Sequence, residues 1–393
     1  MHKKFKYPLL VFIWLMVSAF LLEGILRLTA PLLPGRLVIG AQAVLSGELY
    51  FADTLDIFTL HRDHNFVALP DLDNAVHVAS PTVKIHVTTS RLWDSPFGFR
   101  NRPVNYAVDA IVVGDSFSFC ITEEADCWVR RFEAETGLGV VNLAQVGTGS
   151  MSHWRMIDIY GRPFEPRLVL WQWWGNDFNE DYFLAVERGE IEAIFVPDPP
   201  ILPQVSDNPL VQWLRTHSVA FAVSEVALGN ERPYIDERGQ LFIAPYRIKQ
   251  DGLDIRFGQA YEQRAFDLDN PRNAAGVALT REALRLARDA VSEWGGTFAV
   301  IVLPTREEVY APLTAPVMGD EALGTLVSAR ETMLGLCEEL DLLCLDTLPQ
   351  LQQLAQQNIQ LYYSDDLHLN PRGNAELSRI VWGWLGGEGL LYE

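Results

Sequence analysis

Two short segments far apart in this chain carry residue types that together can perform nucleophilic catalysis. The first, VDAIVVGDSFSFC over residues 108–120, ends an apolar run with Gly-Asp-Ser and places Ser116 just after a predicted buried strand. The second, SDDLHLNPRGN over residues 364–374, contains His368, with Asp365 three residues before it. A serine hydroxyl becomes a nucleophile when a histidine removes its proton and a carboxylate orients the imidazole. Gly-Asp-Ser also makes ordinary turns, so the prediction of Ser116, Asp365 and His368 as catalytic residues needs further support.

Two intervening segments supply groups that can bind a developing oxyanion. NLAQVGTGSMSHW follows a second predicted strand, and its Gly147 can present a bare backbone N–H group. GND follows a third predicted strand, and its Asn176 can direct a side-chain amide at the same point. We therefore predict an oxyanion hole made by the backbone N–H groups of Ser116 and Gly147 and the amide of Asn176.

The elements that must position these residues alternate between apolar strands and amphipathic helices, which predicts an α/β fold with a parallel sheet. In such sheets reactive groups gather at the carboxyl ends of the strands, where one edge can collect all four segments. The predicted strands are 110–113, 139–143, 168–173, 297–303 and 342–345, and the predicted helices are 123–135, 150–160, 280–294, 321–340 and 371–385.

The pattern changes outside this alternating region. Residues 35–107 contain short β-like runs without a helical period, which predicts an irregular, strand-containing lead-in to a domain over 108–393. The alternation of strands and helices is interrupted between about 178 and 275. This part contains an amphipathic segment, a predicted hairpin over 232–247 and a polar stretch. We interpret this part as an insertion over the active edge of the sheet.

The four segments resemble those of the SGNH, or GDSL-type, esterase and acyltransferase superfamily over about residues 108–385, excluding the insertion. The resemblance implies a three-layer α/β/α flavodoxin-like fold, no cofactor and the roles given above for five key residues: Ser116, Gly147, Asn176, Asp365 and His368. FGFRNRP over 97–103 and VLPTREEVY over 302–310 are similar to segments of membrane-anchored bacterial members. Cys120 and Asp366 depart from the family pattern, since glycine often occupies both places.

The resemblance leaves three functions open. A serine ester hydrolase acting on an O-acylated, preferably O-acetylated, cell-surface glycan or related ester is the leading hypothesis. An O-acyltransferase of exopolysaccharide modification uses the same serine chemistry, but alginate-acetylating relatives carry a D-x-H motif before the serine, whereas Asp365 and His368 form D-x-x-H after it. The third is a non-catalytic binding or assembly subunit, which the presence of all five key residues disfavours.

Other residues near the motifs have competing interpretations. Trp171 and Trp173 alternate along one strand face and are expected in the core, whereas Trp174 and His153 are candidates for substrate binding. His61, Asp63 and His64 in HRDH have metal-ligand chemistry, but neighbouring polar residues in a loop are usually just solvated, so we predict no metal site.

The N-terminus predicts contact with a lipid bilayer. Three lysines precede PLLVFIWLMVSAFLLEGILRL over 8–28, which is about long enough to cross a bilayer core and lacks a good cleavage site. An uncleaved anchor within residues 1–34 is favoured over a signal peptide, with the N-terminus inside and the catalytic domain extracytoplasmic. A formal net charge of -20 argues against nucleic acid as a partner, because phosphate binding needs a field of lysine and arginine.

The four cysteines form two pairs with the same spacing. Cys120 and Cys127 are seven residues apart, as are Cys337 and Cys344, and either pair can close a local disulfide in an oxidising compartment. Four free buried thiols are an equally acceptable interpretation of the sequence.

Overall fold

A computed structural model describes residues 6–33, 57–80, 83–196, 209–227 and 246–391, with short stretches at 37, 41, 44–45, 234–235, 241–242 and 244. The chain forms two compact units. One comprises residues 1–52 and 198–243, and the other, which carries all four sequence segments, comprises residues 53–197 and 244–393.

The larger unit is built on a five-stranded parallel sheet. In chain order its strands are β5 (Ala110–Val113), β6 (Val140–Asn142), β7 (Leu168–Trp173), β12 (Thr297–Val302) and β13 (Leu343–Asp346), and their spatial order is β13-β12-β7-β5-β6. Every residue of β5, β6 and β7 is buried, as their continuous apolar runs require. The predicted α/β class with a parallel sheet is thus confirmed. Adjacent parallel β5, β6 and β7 bring the loops that follow them to one edge.

Helices connect and cover these strands. The helix α5 (Asp177–Glu187) packs against α9 (Pro271–Glu293), which also contacts α4 (Ser150–Met156), and α3 (Trp128–Thr136) packs against α14 (Pro371–Gly387). Bounds of the helices between and after the strands are α2 (Ser116–Phe119), α3 (Trp128–Thr136), α4 (Ser150–Met156), α5 (Asp177–Glu187), α8 (Ala260–Ala265), α9 (Pro271–Glu293), α10 (Arg306–Val309), α11 (Ala311–Met318), α12 (Asp320–Glu339), α13 (Leu348–Ala355) and α14 (Pro371–Gly387).

Residues 53–107 of the predicted lead-in are an integral part of the larger unit, whereas residues 35–52 are assigned to the smaller one. Its described strands are β1 (Phe58–His61) paired with β2 (Asn65–Ala68), and β3 (Ala75–Ser80) paired with β4 (Val83–Val87), both antiparallel. Apolar side chains of these strands form one core cluster with Phe119 and Ile121, at and just beyond the end of the short helix 116–119 after β5, and with Ala144 after β6. The lead-in therefore packs directly on the segments that follow Ser116 and precede Gly147.

The predicted insertion is shorter in the structure than in the sequence analysis. Residues 178–187 belong to α5, and 246–257 form an antiparallel pair, β10 (Tyr246–Gln250) and β11 (Leu253–Phe257); all of them lie in the larger unit. Only residues 198–243 fall in the other unit. The helix α9 begins nine residues before its predicted start, because Asn270 caps it through a 3.0 Å bond from the Arg272 N–H and Pro271 occupies the first turn.

The smaller unit contains α1 (Lys6–Thr29), α6 (Pro209–His217), α7 (Val219–Ala227) and the antiparallel pair β8 (Tyr234–Ile235) and β9 (Leu241–Phe242). The Glu23 carboxylate on α1 accepts bonds from the N–H groups of Val219 and Ala220 at the start of α7. The predicted anchor segment lies within α1. None of the helices in the described ranges combines the length and the apolar character that crossing a membrane requires.

All four cysteines are paired. Cys120 is bonded to Cys127 and Cys337 to Cys344, with Cα–Cα distances of 5.4 and 6.2 Å. The disulfide interpretation thus holds in the structure, and the alternative of four free thiols does not.

Candidate active site

Ser116 begins the short helix α2 immediately after the strand β5. Gly114 is required in this turn, because a Cβ atom there would lie 2.4 Å from Oε1 of Gln172 on the neighbouring strand β7. Asp115 caps α2, since its Oδ1 accepts a 2.9 Å bond from the N–H of Phe117. The Gln172 side chain also accepts bonds from the Asp115 N–H and the Ser118 hydroxyl. This turn is thus held from both sides, with Ser116 at its apex.

His368 is in hydrogen-bond contact with Ser116, although 252 residues separate them in the chain. The Nε2 atom of His368 lies 2.7 Å from the Ser116 Oγ atom. The loop that carries His368 is held at its base by an isolated bridge between Tyr362 and Leu369 and by a 3.1 Å bond from the Tyr363 N–H to the His368 carbonyl. The sequence prediction that these two side chains meet agrees with the structure.

The carboxylate that contacts His368 is Asp366, which corrects the prediction of Asp365. Oδ1 of Asp366 lies 2.5 Å from Nδ1 of His368 and also accepts a 2.8 Å bond from the His368 backbone N–H. A side-chain bond to the N–H two residues ahead is an Asx turn, which places the carboxylate beside the ring of His368. Asp365 points elsewhere, and its Oδ1 accepts a 3.4 Å bond from the Ser80 hydroxyl.

Asp366 is ionised despite being almost fully buried. Burial opposes its charge, but the nearby charge of His368, the two hydrogen bonds from that residue and the charge of Arg306 outweigh burial and lower the pKa of Asp366. Arg306, in the segment VLPTREEVY, also donates a 3.0 Å bond from Nη1 to the Asp366 carbonyl. Arg306 lies between the buried carboxylates of Glu262 and Glu307, which raise its pKa against the effect of burial.

Gly147 lies in the turn after β6, beside the Ser116 turn. Its φ of 58° is in the left-handed region, and a Cβ atom would lie 3.0 Å from the ring of Phe66, so glycine suits the position on both counts. A backbone bond connects this loop to the serine turn, since the Gln145 N–H donates to the Gly114 carbonyl at 3.2 Å, and the Thr148 hydroxyl in turn donates to the Gln145 carbonyl at 2.9 Å. These contacts place Gly147 and Ser116 on adjacent loops of the same sheet edge.

Asn176 follows β7, the strand adjacent to β5, and is 4% exposed. Its Nδ2 atom donates a 3.1 Å bond to the Tyr261 hydroxyl, while its Oδ1 atom is buried without a hydrogen-bond partner in the described part of the chain. Each of the three predicted oxyanion residues therefore lies a few residues beyond the carboxyl end of one of three neighbouring strands.

Two buried acids of α5 tie the Gly147 loop to the body of the unit. Asp177 accepts a 3.0 Å bond from the Ser150 hydroxyl, and Asp181 accepts bonds from the Met151 N–H at 2.7 Å and the Thr280 hydroxyl at 2.6 Å. Burial raises the pKa of Asp181 to about 7 and that of Asp177 well above its ordinary value. Both acids act here as buried acceptors that order a loop.

The two residues predicted to bind substrate lie in the core. Trp174 is 2% exposed, with its ring packed between those of Phe117 and Phe266. His153 is 1% exposed and packs edge-on against Trp171. Burial lowers the pKa of His153 to about 3, so its ring is neutral and the 3.5 Å contact with Asp177 is not an ion pair. Neighbouring aromatic rings thus enclose both side chains, and contact with substrate stays a prediction for Trp174 and His153.

The HRDH segment packs against the protein instead of being solvated throughout. His64 is buried, and its Nδ1 lies 3.0 Å from the Ser152 hydroxyl. Its ring stacks on that of His61, with centroids 5.1 Å apart, and Phe97 contacts both. Within the described ranges, no three potential metal ligands are gathered at one point.

Sequence reasoning missed several residues that contact the site. The D-x-H spacing between Asp366 and His368 is a sequence signal that could have identified Asp366. The only sequence signal for Arg306 is that its segment follows β12. Asn65, Glu180 and Tyr261 bear no recognisable motif, and only their contacts in the folded chain reveal them.

A serine, a histidine and a carboxylate in hydrogen-bond series, at the carboxyl edge of a parallel sheet, have the geometry of the α/β serine hydrolases. Residues 262–381 match the family model of the SGNH hydrolase-like domain of the acetyltransferase AlgX. This part of the chain is thus similar to SGNH hydrolase-like domains. The matched stretch contains Asp366 and His368.

Several solved structures are similar to the chain at low identity. A catalytic mutant of Axe2, an acetylxylan esterase from Geobacillus stearothermophilus, is 11% identical with a TM-score of 0.39, covering 72% of this chain and 97% of that chain. TesA is 13% identical with a TM-score of 0.35 (71% and 98%), and the lipase/acylhydrolase from Enterococcus faecalis is 10% identical with a TM-score of 0.35 (72% and 97%). Likenesses this weak support no statement about activity. No curated protein matches the chain.

Proposed function

We propose that the chain is a serine esterase that cleaves an O-acylated, preferably O-acetylated, cell-surface glycan or a related ester through an acyl-enzyme. The observation that carries the proposal is the series Asp366, His368 and Ser116, joined by contacts of 2.5 and 2.7 Å. The match to the SGNH hydrolase-like domain of an acetyltransferase supports chemistry on acyl esters. The glycan as substrate comes from the resemblance to anchored members of the superfamily.

In this mechanism the ring of His368 donates from Nδ1 to Asp366 and accepts the Ser116 proton at Nε2. Oγ of Ser116 attacks the ester carbonyl, and the N–H groups of Ser116 and Gly147 with the Asn176 amide stabilise the oxyanion. Collapse breaks the bond to the alcohol, which leaves with the proton from His368. Water, deprotonated by the same ring, then attacks the acyl-enzyme and releases the acid and free Ser116.

An O-acyltransferase is the second candidate, and two observations favour it. The matched family model is named for an acetyltransferase. The carboxylate beside His368 is also Asp366, so the spacing is D-x-H and no longer distinguishes this chain from acetylating relatives. The feature that still favours hydrolysis is that Asp366 and His368 come after Ser116 in the sequence. Incubation with an acetyl donor and a glycan decides between them: acetyl transfer exceeding release to water would establish the second candidate.

A fluorophosphonate probe tests the serine chemistry itself. We expect the full-length protein to be labelled at Ser116, mapped by mass spectrometry, and expect Ser116→Ala and His368→Ala to abolish labelling. Ser118→Ala is the matched control, because Ser118 is buried and bonded to Gln172 rather than to His368. Absence of labelling in the folded wild type would favour a non-catalytic binding or assembly subunit.

We also infer that the larger unit functions in an oxidising, extracytoplasmic compartment. Two local disulfides support this, because structural disulfides are rare in reducing compartments. Thiol blocking of intact cells before lysis, followed by mass spectrometry, tests it. Recovery of all four cysteines as blocked free thiols would contradict the inference.

A further inference from the structure

A buried series of hydrogen bonds joins two of the three residues assigned to the oxyanion hole. Nδ2 of Asn176 donates to the Tyr261 hydroxyl at 3.1 Å, and that hydroxyl donates to Oε1 of Glu180 at 3.4 Å. Nδ2 of Asn65 donates to Oε2 of Glu180 at 2.8 Å and to the Gly147 carbonyl at 2.6 Å. Glu180 therefore links the two oxyanion residues. Its Oε1 atom is connected to Asn176 through Tyr261, and its Oε2 atom is connected to Gly147 through Asn65.

The three residues that link Asn176 to Gly147 come from three separate parts of the chain. Asn65 begins β2 in the lead-in, Glu180 lies in the first turn of α5, and Tyr261 lies in α8, near the end of the predicted insertion. Their exposed fractions are between 4% and 7%. Buried polar groups that are mutually satisfied specify one arrangement of the segments they connect. The series therefore holds the lead-in and α8 against the two oxyanion loops.

The donor and acceptor types determine which way the Asn176 amide faces. The Tyr261 hydroxyl has a single hydrogen, and it is directed to Oε1 of Glu180. The Tyr261 oxygen then accepts from its other neighbour, which requires the NH₂ end of the Asn176 amide rather than its oxygen. One of the two Nδ2 hydrogens is used in this bond, and the second is left for a substrate oxygen.

We propose that Glu180, acting through Tyr261 and Asn65, is a positioning residue that keeps the Asn176 amide and the Gly147 turn in the orientation that stabilises the oxyanion. The proposal rests on the proposed function, because it assigns a role to neighbours of that site. Without Glu180, the Tyr261 hydroxyl is free to donate to Oδ1 of a rotated Asn176 amide. Rotation changes the position of both Nδ2 hydrogens and weakens stabilisation of the transition state.

Glu180→Gln and Tyr261→Phe test the proposal with little change in volume. With p-nitrophenyl acetate as substrate and full-length protein, we expect each variant to lower kcat about 10- to 100-fold, less than or similar to the loss of a whole oxyanion donor. KM should change little, because ground-state binding does not use the oxyanion geometry. The matched control is Tyr106→Phe, which removes a hydroxyl bonded to the Val140 carbonyl at the opposite end of the sheet and should leave kcat unchanged.

A double-mutant cycle separates positioning from general destabilisation. If Tyr261 acts through Asn176, Tyr261→Phe should cost no more than about twofold in kcat in an Asn176→Ala background. Full additivity would overturn the proposal, as would wild-type kcat in both Glu180→Gln and Tyr261→Phe. If Glu180→Gln fails to fold, the kcat of Tyr261→Phe and its double-mutant cycle with Asn176→Ala still test the proposal.

The experiments give a different result if the proposed function, rather than the role of Glu180, is wrong. If Ser116→Ala keeps the esterase activity, or if the phosphonate probe does not label the wild type, the serine mechanism itself is wrong. If Ser116 is labelled and required while the cycle is additive, only the positioning role of Glu180 is wrong.

Discussion

One carboxylate oxygen of Asp366 accepts hydrogen bonds from both the ring and the backbone N–H of His368, at 2.5 and 2.8 Å. The same short loop thus contains the base and the group that orients it, and the loop geometry keeps them together before substrate binds. The neighbouring carboxylate, Asp365, has no part in this contact and bonds instead with Ser80.

Exchange of the two adjacent aspartates for asparagine therefore separates their roles. Asp366→Asn should lower kcat by about 10³–10⁴, because an amide in place of the carboxylate favours the wrong tautomer of His368 and cannot stabilise its charge. Asp365→Asn is the matched control and should stay close to wild type. Steady-state kinetics of ester hydrolysis checks both; a larger loss in Asp365→Asn would restore the original assignment.

Asn176→Ala should lower kcat by about 10²–10³ with a small change in KM, since the amide is expected to act mainly in the transition state. Asn179→Ala is the control on the same helix, because Asn179 is also buried and bonds with Asn273 through a 2.8 Å contact away from Ser116. It should lower the melting temperature and leave kcat intact. Equal kcat in Asn176→Ala and wild type, with Ser116→Ala inactive, would remove Asn176 from the oxyanion hole.

The two disulfides close loops of the same length, so they form a natural pair for comparison. Cys120 directly follows α2 and donates its N–H to the Ser116 carbonyl at 2.9 Å, whereas Cys337 and Cys344 join α12 to β13. Chain entropy predicts a loss of about 2.5 kcal/mol of unfolding free energy for either pair replaced by alanine. Only Cys120→Ala with Cys127→Ala should also lower kcat. Identical kcat in the two double variants would show that the first disulfide does not order the serine turn.

Acid should weaken the fold through buried His64. Burial, followed by electrostatic repulsion from His61, Arg155 and His153, lowers the pKa of His64 to about 3. The folded-state pKa lies below the unfolded value of about 6.5, so the neutral ring's contribution is complete above that pH and is lost as the pH falls.

Comparison with the His64→Gln variant isolates the effect of His64, since all other titratable groups are present in both proteins. Between pH ~7.5 and ~5.5 the wild type should lose about 1.4 kcal/mol of unfolding free energy relative to the variant. Urea unfolding at the two pH values measures the difference. A difference that does not change with pH would show that His64 takes up no proton on unfolding.

The sequence by itself determined the α/β alternation, the strands at 110–113 and 168–173, and the four segments that carry Ser116, Gly147, Asn176 and His368. Such features are readable because buried strands need uninterrupted apolar runs, and because turns and caps need particular residue types. The resemblance to the SGNH superfamily came from the order of those segments, and the family match over residues 262–381, which contain the last of them, supports it.

Only the tertiary structure decided which side chains meet. Asp365 and Asp366 are identical in type, and an Asx turn within a loop selected the second. Trp174 and His153 sit beside the motifs in sequence, yet neighbouring aromatic rings enclose them. Asn65, Glu180 and Tyr261 meet across separations of up to 115 residues. A local pattern records the period of an element, but a contact between distant elements depends on how their faces pack, which no local pattern contains.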